Sequence, residues 1–159
     1  MFRPTLEGPP FDLQIEDDHG CLAISVEIAS SGDRIVVVVC ELTDLDQPYA
    51  EFSFSIAVVS LDQTHEEFQT QDRQIAAPFI PDGVRPSVMR VVCSCLDAMV
   101  KRAKPLGVYR VVKEPNAHEK ALKKHEMLTE VLENTGYFVE DQGTDPFDRR
   151  FCTMRRNPD

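Results

Sequence analysis

The side chains able to do chemistry are few in this chain, and their spacing decides most cases. His118-Glu119 and His125-Glu126 repeat at an interval of seven. On a helix that interval is two turns, ~10 Å at 1.5 Å per residue, so the two pairs cannot share one metal ion. Cys93-Ser94-Cys95 is a C-x-C arrangement whose thiols diverge by ~200° on a helix, which suits packing better than a redox or metal pair. Glu16-Asp17-Asp18-His19 lacks the alternating oxygen ligands and the glycine of a calcium loop and reads as a solvated turn. Ser87 and Ser94 have no G-x-S-x-G setting. His125 remains. It falls on the apolar stripe of a helix, where imidazole is either a neutral core group with a backbone partner or a general base, and it is carried forward as a candidate catalytic residue. No metal is expected.

The elements that must position these groups change character along the chain. Phe11, Leu13 and Ile15 alternate with polar residues, and Leu22, Ile24, Val26 and Ile28 do so again, predicting two half-buried strands. Ser30-Ser31-Gly32-Asp33 is a turn before Ile35 to Val39, five β-branched residues that predict a strand covered on both faces at the centre of the sheet. Phe52, Phe54, Ile56 and Val58 oppose Ser53, Ser55 and Ala57, so four antiparallel strands fit residues 11 to 60. Residues 61 to 73 are polar and predict an exposed loop or one short helical turn.

Near Pro86 the period changes from 2 to 3.6. Pro86 suits the first turn of a helix, and Val88, Val92, Cys95, Met99 and Ala103 form its apolar stripe up to Lys104-Pro105. Val108 to Val112 follow as a strand. A second helix puts Ala121, His125, Leu128 and Leu132 on one side and ends at Gly136, placed as its left-handed C-terminal residue. The reading is one domain over residues 1 to 159, with an antiparallel meander at 11 to 60 and a β-α-β-α-β-β part at 74 to 156. Its class is α/β (α+β), a mixed, mostly antiparallel twisted sheet with two main helices.

This order, together with Val131-Leu132-Glu133-Asn134-Thr135-Gly136-Tyr137 and Asp148-Arg149-Arg150-Phe151, resembles the C-terminal two-thirds of the GNAT N-acyltransferase superfamily, over about residues 50 to 156. The first of these segments is similar to the family's L-Y-E-x-x-G-F helix ending. The resemblance implies acetyl-CoA or another acyl-CoA as cofactor and an amine as acceptor. It assigns Gly83, Val84, Arg85 and Ser87 to cofactor binding, because the family's R-x-x-G-x-G/A loop stands at that place, and Asn116 to the catalytic site beside His125; Pro115-Asn116 equally fits a cap on the following helix, where Asn accepts from the first free backbone N–H groups. Pro81-Asp82-Gly83-Val84-Arg85-Pro86-Ser87 departs from the family loop, with one glycine, one arginine and a proline that lacks an N–H. Leu132 stands where the family often has a tyrosine general acid.

Charge separates the chain into halves. Residues 1 to 83 carry sixteen Asp/Glu against three Lys/Arg, net −13, and residues 84 to 159 carry eleven against fourteen, net +3. The total of −10 repels a polyanion, so general nucleic-acid binding is not expected. No segment approaches the ~20 apolar residues of a membrane-spanning helix, and five cysteines, an odd number, make a disulfide framework improbable. A cytoplasmic protein is expected. Two functions fit: an acyl-CoA-dependent N-acyltransferase, or a catalytically inactive regulatory module whose acidic meander engages a basic protein partner. The charge asymmetry also permits a homo-oligomer.

Overall fold

The computed structural model describes residues 1 to 62, 65 to 112 and 119 to 158. A single mixed sheet carries the chain. Its first strands are β1 (Arg3–Pro4), β2 (Glu16–Asp18), β3 (Cys21–Ser31), β4 (Arg34–Thr43), β5 (Tyr49–Ser60) and β6 (His65–Thr70). Helix α1 (Arg73–Ala76) and a 3-10 turn (Ala77–Phe79) lead to α2 (Arg85–Ala103). Then come β7 (Gly107–Val112), α3 (Glu119–Asn134), β8 (Tyr137–Thr144) and β9 (Arg150–Arg156). The spatial order is β1-β3-β4-β5-β7-β9-β8, with β2 also on β3 and β6 also on β5; among the described residues only β5 and β7 pair in parallel.

The alternation read in the sequence fixes which face is buried. Leu22, Ile24 and Val26 stand opposite Leu42, Cys40 and Val38, which in turn oppose Phe52, Phe54 and Ile56. These share one face with the buried stripe of α2, formed by Val92, Cys95, Leu96 and Met99. Pro86 lies in the first turn of α2, and Lys104 closes the helix in the left-handed conformation (φ 48°) by bonding its N–H to the Val100 carbonyl. Gly136 ends α3 at φ +97°, a geometry that disfavours a Cβ. All five cysteines are free, with Cys40, Cys95 and Cys152 buried. Among the described residues, no helix is long and apolar enough to cross a membrane.

Three expectations need correction. Phe11, Leu13 and Ile15 are half-buried against the core as their alternation implies, but they form no ladder; the ladder begins at Glu16 and lasts three residues. Periodicity reports burial, and strand pairing also needs a neighbouring backbone in register. The centre of the sheet is β5 rather than β4, because β7, β9 and β8 add to the far edge of β5. Residues 65 to 70 are a strand, not a loop or helical turn, and turn back antiparallel along Ile56 to Ser60. Polar composition hid this strand, since its ladder is backbone to backbone.

Candidate functional site

The two edges of β5 are treated differently. Along β4 it pairs for ten residues without interruption. Along the other edge Tyr49, Ala50 and Glu51 pair with Gly107, Val108 and Tyr109 of β7, and Ile56 to Ser60 pair with β6. Residues 52 to 55 between them have no strand neighbour on that edge among the described residues. β7 continues from Tyr109 to Val112 paired only with β9, so the two parallel strands part at Glu51 and Tyr109.

A cavity of about 340 Å³ lies beside this opening. Phe54 and Ile56 give it an apolar side with Ile80 and Val88, α1 supplies Arg73, and α3 supplies Lys123 and Lys124. Its far boundary is the segment from β6 to the 3-10 turn, which is tightly anchored. The Gln69 side-chain amide donates to the Ser55 hydroxyl, Asp72 caps α1 by accepting from the Gln74 N–H at 2.8 Å, and the Phe68 ring meets Phe79 edge-on at 5.0 Å. Arg34 lies over Phe79 at 5.8 Å while donating to Glu67 at 2.8 and 3.1 Å.

The loop before α2 is closed on itself. The N–H groups of Val84 and Arg85 both bond to the Pro81 carbonyl, at 3.0 and 3.3 Å, the Ser87 N–H bonds to the Val84 carbonyl at 2.8 Å, and Pro86 has no N–H. A helix N-terminus holds an anion through such donors, and here backbone carbonyls already take them. Arg85 lines the cavity, but its guanidinium donates to the Ala77 carbonyl (3.0 Å) and the Ile80 carbonyl (3.3 Å) and pairs with Asp82 (3.2 Å). Val84 is buried in the core, and Gly83 is exposed with nothing within 4 Å of where a Cβ would stand. Of the four residues assigned to the cofactor, the cavity wall contains Arg85.

On the other side of the opening, Asn116 lies outside the described residues. His125 is half-buried on α3, and its carbonyl accepts from Arg110 and from the Thr129 hydroxyl, each at 3.0 Å. Burial first, then the positive charges of Arg110 and Arg150, lower its pKa to about 4, so the imidazole is neutral near pH 7. Leu132 is fully buried, and its side chain has no proton to donate. Among the described residues no three His, Cys, Asp or Glu side chains converge as metal ligands.

Sequence reasoning missed Arg110. It is 2 % exposed on β7, on the same face as Val108, and donates to the His125 carbonyl and to the Thr129 hydroxyl at 2.6 Å. Its Nε–H has no partner and no carboxylate faces it among the described residues. Burial lowers the affinity of the guanidinium for its proton, although the adjoining Cys152 acts the other way. The available signal was its place in Val108-Tyr109-Arg110, where alternation puts residues 108 and 110 on one face.

No protein-family model and no curated protein sequence matches the chain. Among solved structures, the chain is similar to a point mutant of the spermidine N-acetyltransferase SpeG from Vibrio cholerae, at 14 % identity and a TM-score of 0.46, over 87 % of this chain and 66 % of that one. A chimera of SpeG from Vibrio cholerae and hSSAT gives 16 % identity and a TM-score of 0.44 over the same shares. The chain thus spans just under two-thirds of the length of these structures.

Proposed function

We propose that the chain is a GNAT-type, acyl-CoA-dependent N-acyltransferase, with the acyl donor in the opening between β5 and β7 and an amine as acceptor. One observation carries this reading: the parallel pairing stops after three residues, beside a cavity with four cationic side chains (Arg73, Arg85, Lys123, Lys124) and one carboxylate (Asp72) in its wall. The edge of β5 at residues 52 to 55, which has no strand neighbour among the described residues, offers backbone groups to the amide groups of pantetheine, much as an added strand would use them. The cations favour the phosphates of the donor. The neighbouring residues Gly83, Val84 and Ser87 belong to the same proposed cofactor region, as do Arg85 and its loop.

In the proposed reaction the amine nitrogen attacks the thioester carbonyl, the tetrahedral intermediate expels the coenzyme A thiolate, and the nitrogen loses its proton. His125 and Asn116 are the residues proposed near this step. A neutral imidazole can accept a proton, but at a pKa of about 4 it is a weak base, so a water molecule is the better carrier.

The second reading, a module without chemistry that uses its acidic meander to bind a basic protein, is favoured by the carbonyl-bonded N–H groups before α2 and by the apolar Leu132. Calorimetric titration with acetyl-CoA, followed by a thiol-release assay with a panel of amines, separates the two. Binding with amine-dependent thiol release is the expected result. No binding at millimolar acetyl-CoA would transfer the assignment to the regulatory module.

A further inference from the structure

One end of the sheet carries unlike charges side by side. The turn from β4 to β5 is anchored there by the Leu45 N–H, which bonds to the Gly20 carbonyl at 3.1 Å, and the Pro48 carbonyl at its foot accepts from the Gly107 N–H at 3.1 Å. The Arg156 N–H bonds in turn to the Leu106 carbonyl at 2.8 Å, so the turn, the entry to β7 and the end of β9 form one rim. Asp44 and Asp46 are exposed on the turn, and Lys104 and Arg156 are exposed at the other end of the rim. Between them stand Pro48 and Leu106, the latter 42 % exposed. Local ion pairs do not cancel these poles. Asp17 pairs with Arg102, and Arg155 with Glu140. Among the described residues the side chains of Asp44, Asp46 and Lys104 make no hydrogen bond or ion pair, and the Arg156 guanidinium donates to the Lys104 carbonyl alone. The poles are two to three strand spacings apart, ~10–14 Å at ~4.8 Å each, beyond the ~8 Å screening length of physiological salt. Each is therefore open to a partner of opposite charge.

We infer that this rim is an interface between two copies of the chain, related by a two-fold axis near Pro48 and Leu106, with the Asp44/Asp46 pole of each copy against the Lys104/Arg156 pole of the other. A two-fold interface needs a surface that complements itself after half a turn, and acid, apolar centre and base in that order do so. A purely basic partner would meet Lys104 and Arg156 as like charges, and a purely acidic one would meet Asp44 and Asp46. The interface stands apart from acyl transfer, since none of its six residues lines the cavity beside residues 52 to 55.

The test is the mass of the full chain in solution, by light scattering and sedimentation equilibrium at up to ~100 µM protein, a range that reaches micromolar dissociation constants. At about 0.1 M salt the chain should weigh twice its 18.0 kDa. At about 1 M salt, where the screening length drops from ~10 to ~3 Å, the dissociation constant should rise about tenfold or more. Asp44→Lys/Asp46→Lys and Lys104→Glu/Arg156→Glu should each be monomeric at the lower salt, with circular dichroism showing that both are folded. Mixed in equal amounts they should form a heterodimer, because one variant then has only cationic poles and the other only anionic ones. Loss of folding in either variant cannot produce that rescue. If a reversal does not fold, the milder Asp46→Asn and Lys104→Gln should each raise the dissociation constant about threefold or more, and no rise would overturn the inference. A wild-type monomer at both salts, a dimer indifferent to the reversals, folded reversed variants that stay apart when mixed, or a mass that grows past two copies with concentration would each overturn it as well.

Discussion

The halves of the sheet on either side of β5 are built on different principles. In β3 and β4 the buried face is apolar from end to end, Leu22 against Leu42, Ile24 against Cys40 and Val26 against Val38. In β7, β8 and β9 the same face contains a buried guanidinium, Arg110, between Val108, Cys152 and Met154, and the opposite face has Tyr49 lying over Gly107. The first half gains stability from every position. The second accepts polar and steric constraints where the strands part, which is where a site would be expected to place them.

The sharpest contrast should come from truncation in the first half. Leu42→Ala removes a fully buried side chain and should cost ~2–5 kcal/mol, read from chemical denaturation. Gly107→Ala should cost ~1–3 kcal/mol, because its Cβ would stand 2.2 Å from the Tyr49 ring and 3.0 Å from the Met154 carbonyl. Part of that loss should return in the Gly107→Ala/Tyr49→Ala pair, measured as a double-mutant cycle. Additive losses would mean that the ring yields freely and Gly107 is not constrained by it.

Arg110→Met should leave stability unchanged or raise it by about 1 kcal/mol, because a buried charge with no carboxylate partner among the described residues is replaced by an apolar chain of similar length. A loss as large as that of Leu42→Ala would erase the distinction between the halves. Arg85→Ala should cost about 1 kcal/mol through its contacts with Ala77, Ile80 and Asp82. If acetyl-CoA affinity falls while stability holds, Arg85 serves the cofactor before its own loop.

The smallest effect is a pH dependence. His125 has a folded pKa of about 4 against an ordinary value of 6.5, so the unfolded chain binds its proton first as pH falls. Its contribution is complete above pH 6.5 and is lost as pH falls toward 4. Denaturation midpoints at pH 7 and pH 5 should therefore fall further in wild type than in His125→Gln. Identical falls would show that the imidazole is more exposed than its position beside Arg110 implies.

The site was less legible than the fold. Arg85 could be placed at the head of a helix from Pro86 and the apolar stripe behind it, yet only the folded loop brought Ala77 and Ile80 carbonyls onto its guanidinium. Arg73 fell in a segment without periodicity. Nothing in its neighbours marks it as lining the same cavity as Lys123 fifty residues away, because that shared wall depends on β6 turning back along β5. Asn116 remains a proposal from the resemblance.

By itself the sequence determined the strands from Leu22 to Val58, both main helices, their stops at Lys104 and Gly136, and the place of Cys95 on a buried stripe. These follow from local rules: side-chain alternation, the 3.6-residue period, and the backbone freedom of turn residues. Tertiary structure alone decided that β5 is central, that polar residues 65 to 70 form a strand, that Arg110 is buried, and that a cavity opens beside residues 52 to 55. Each depends on which backbone lies alongside which, and that contact is set by the whole chain's packing rather than by any local pattern of residues.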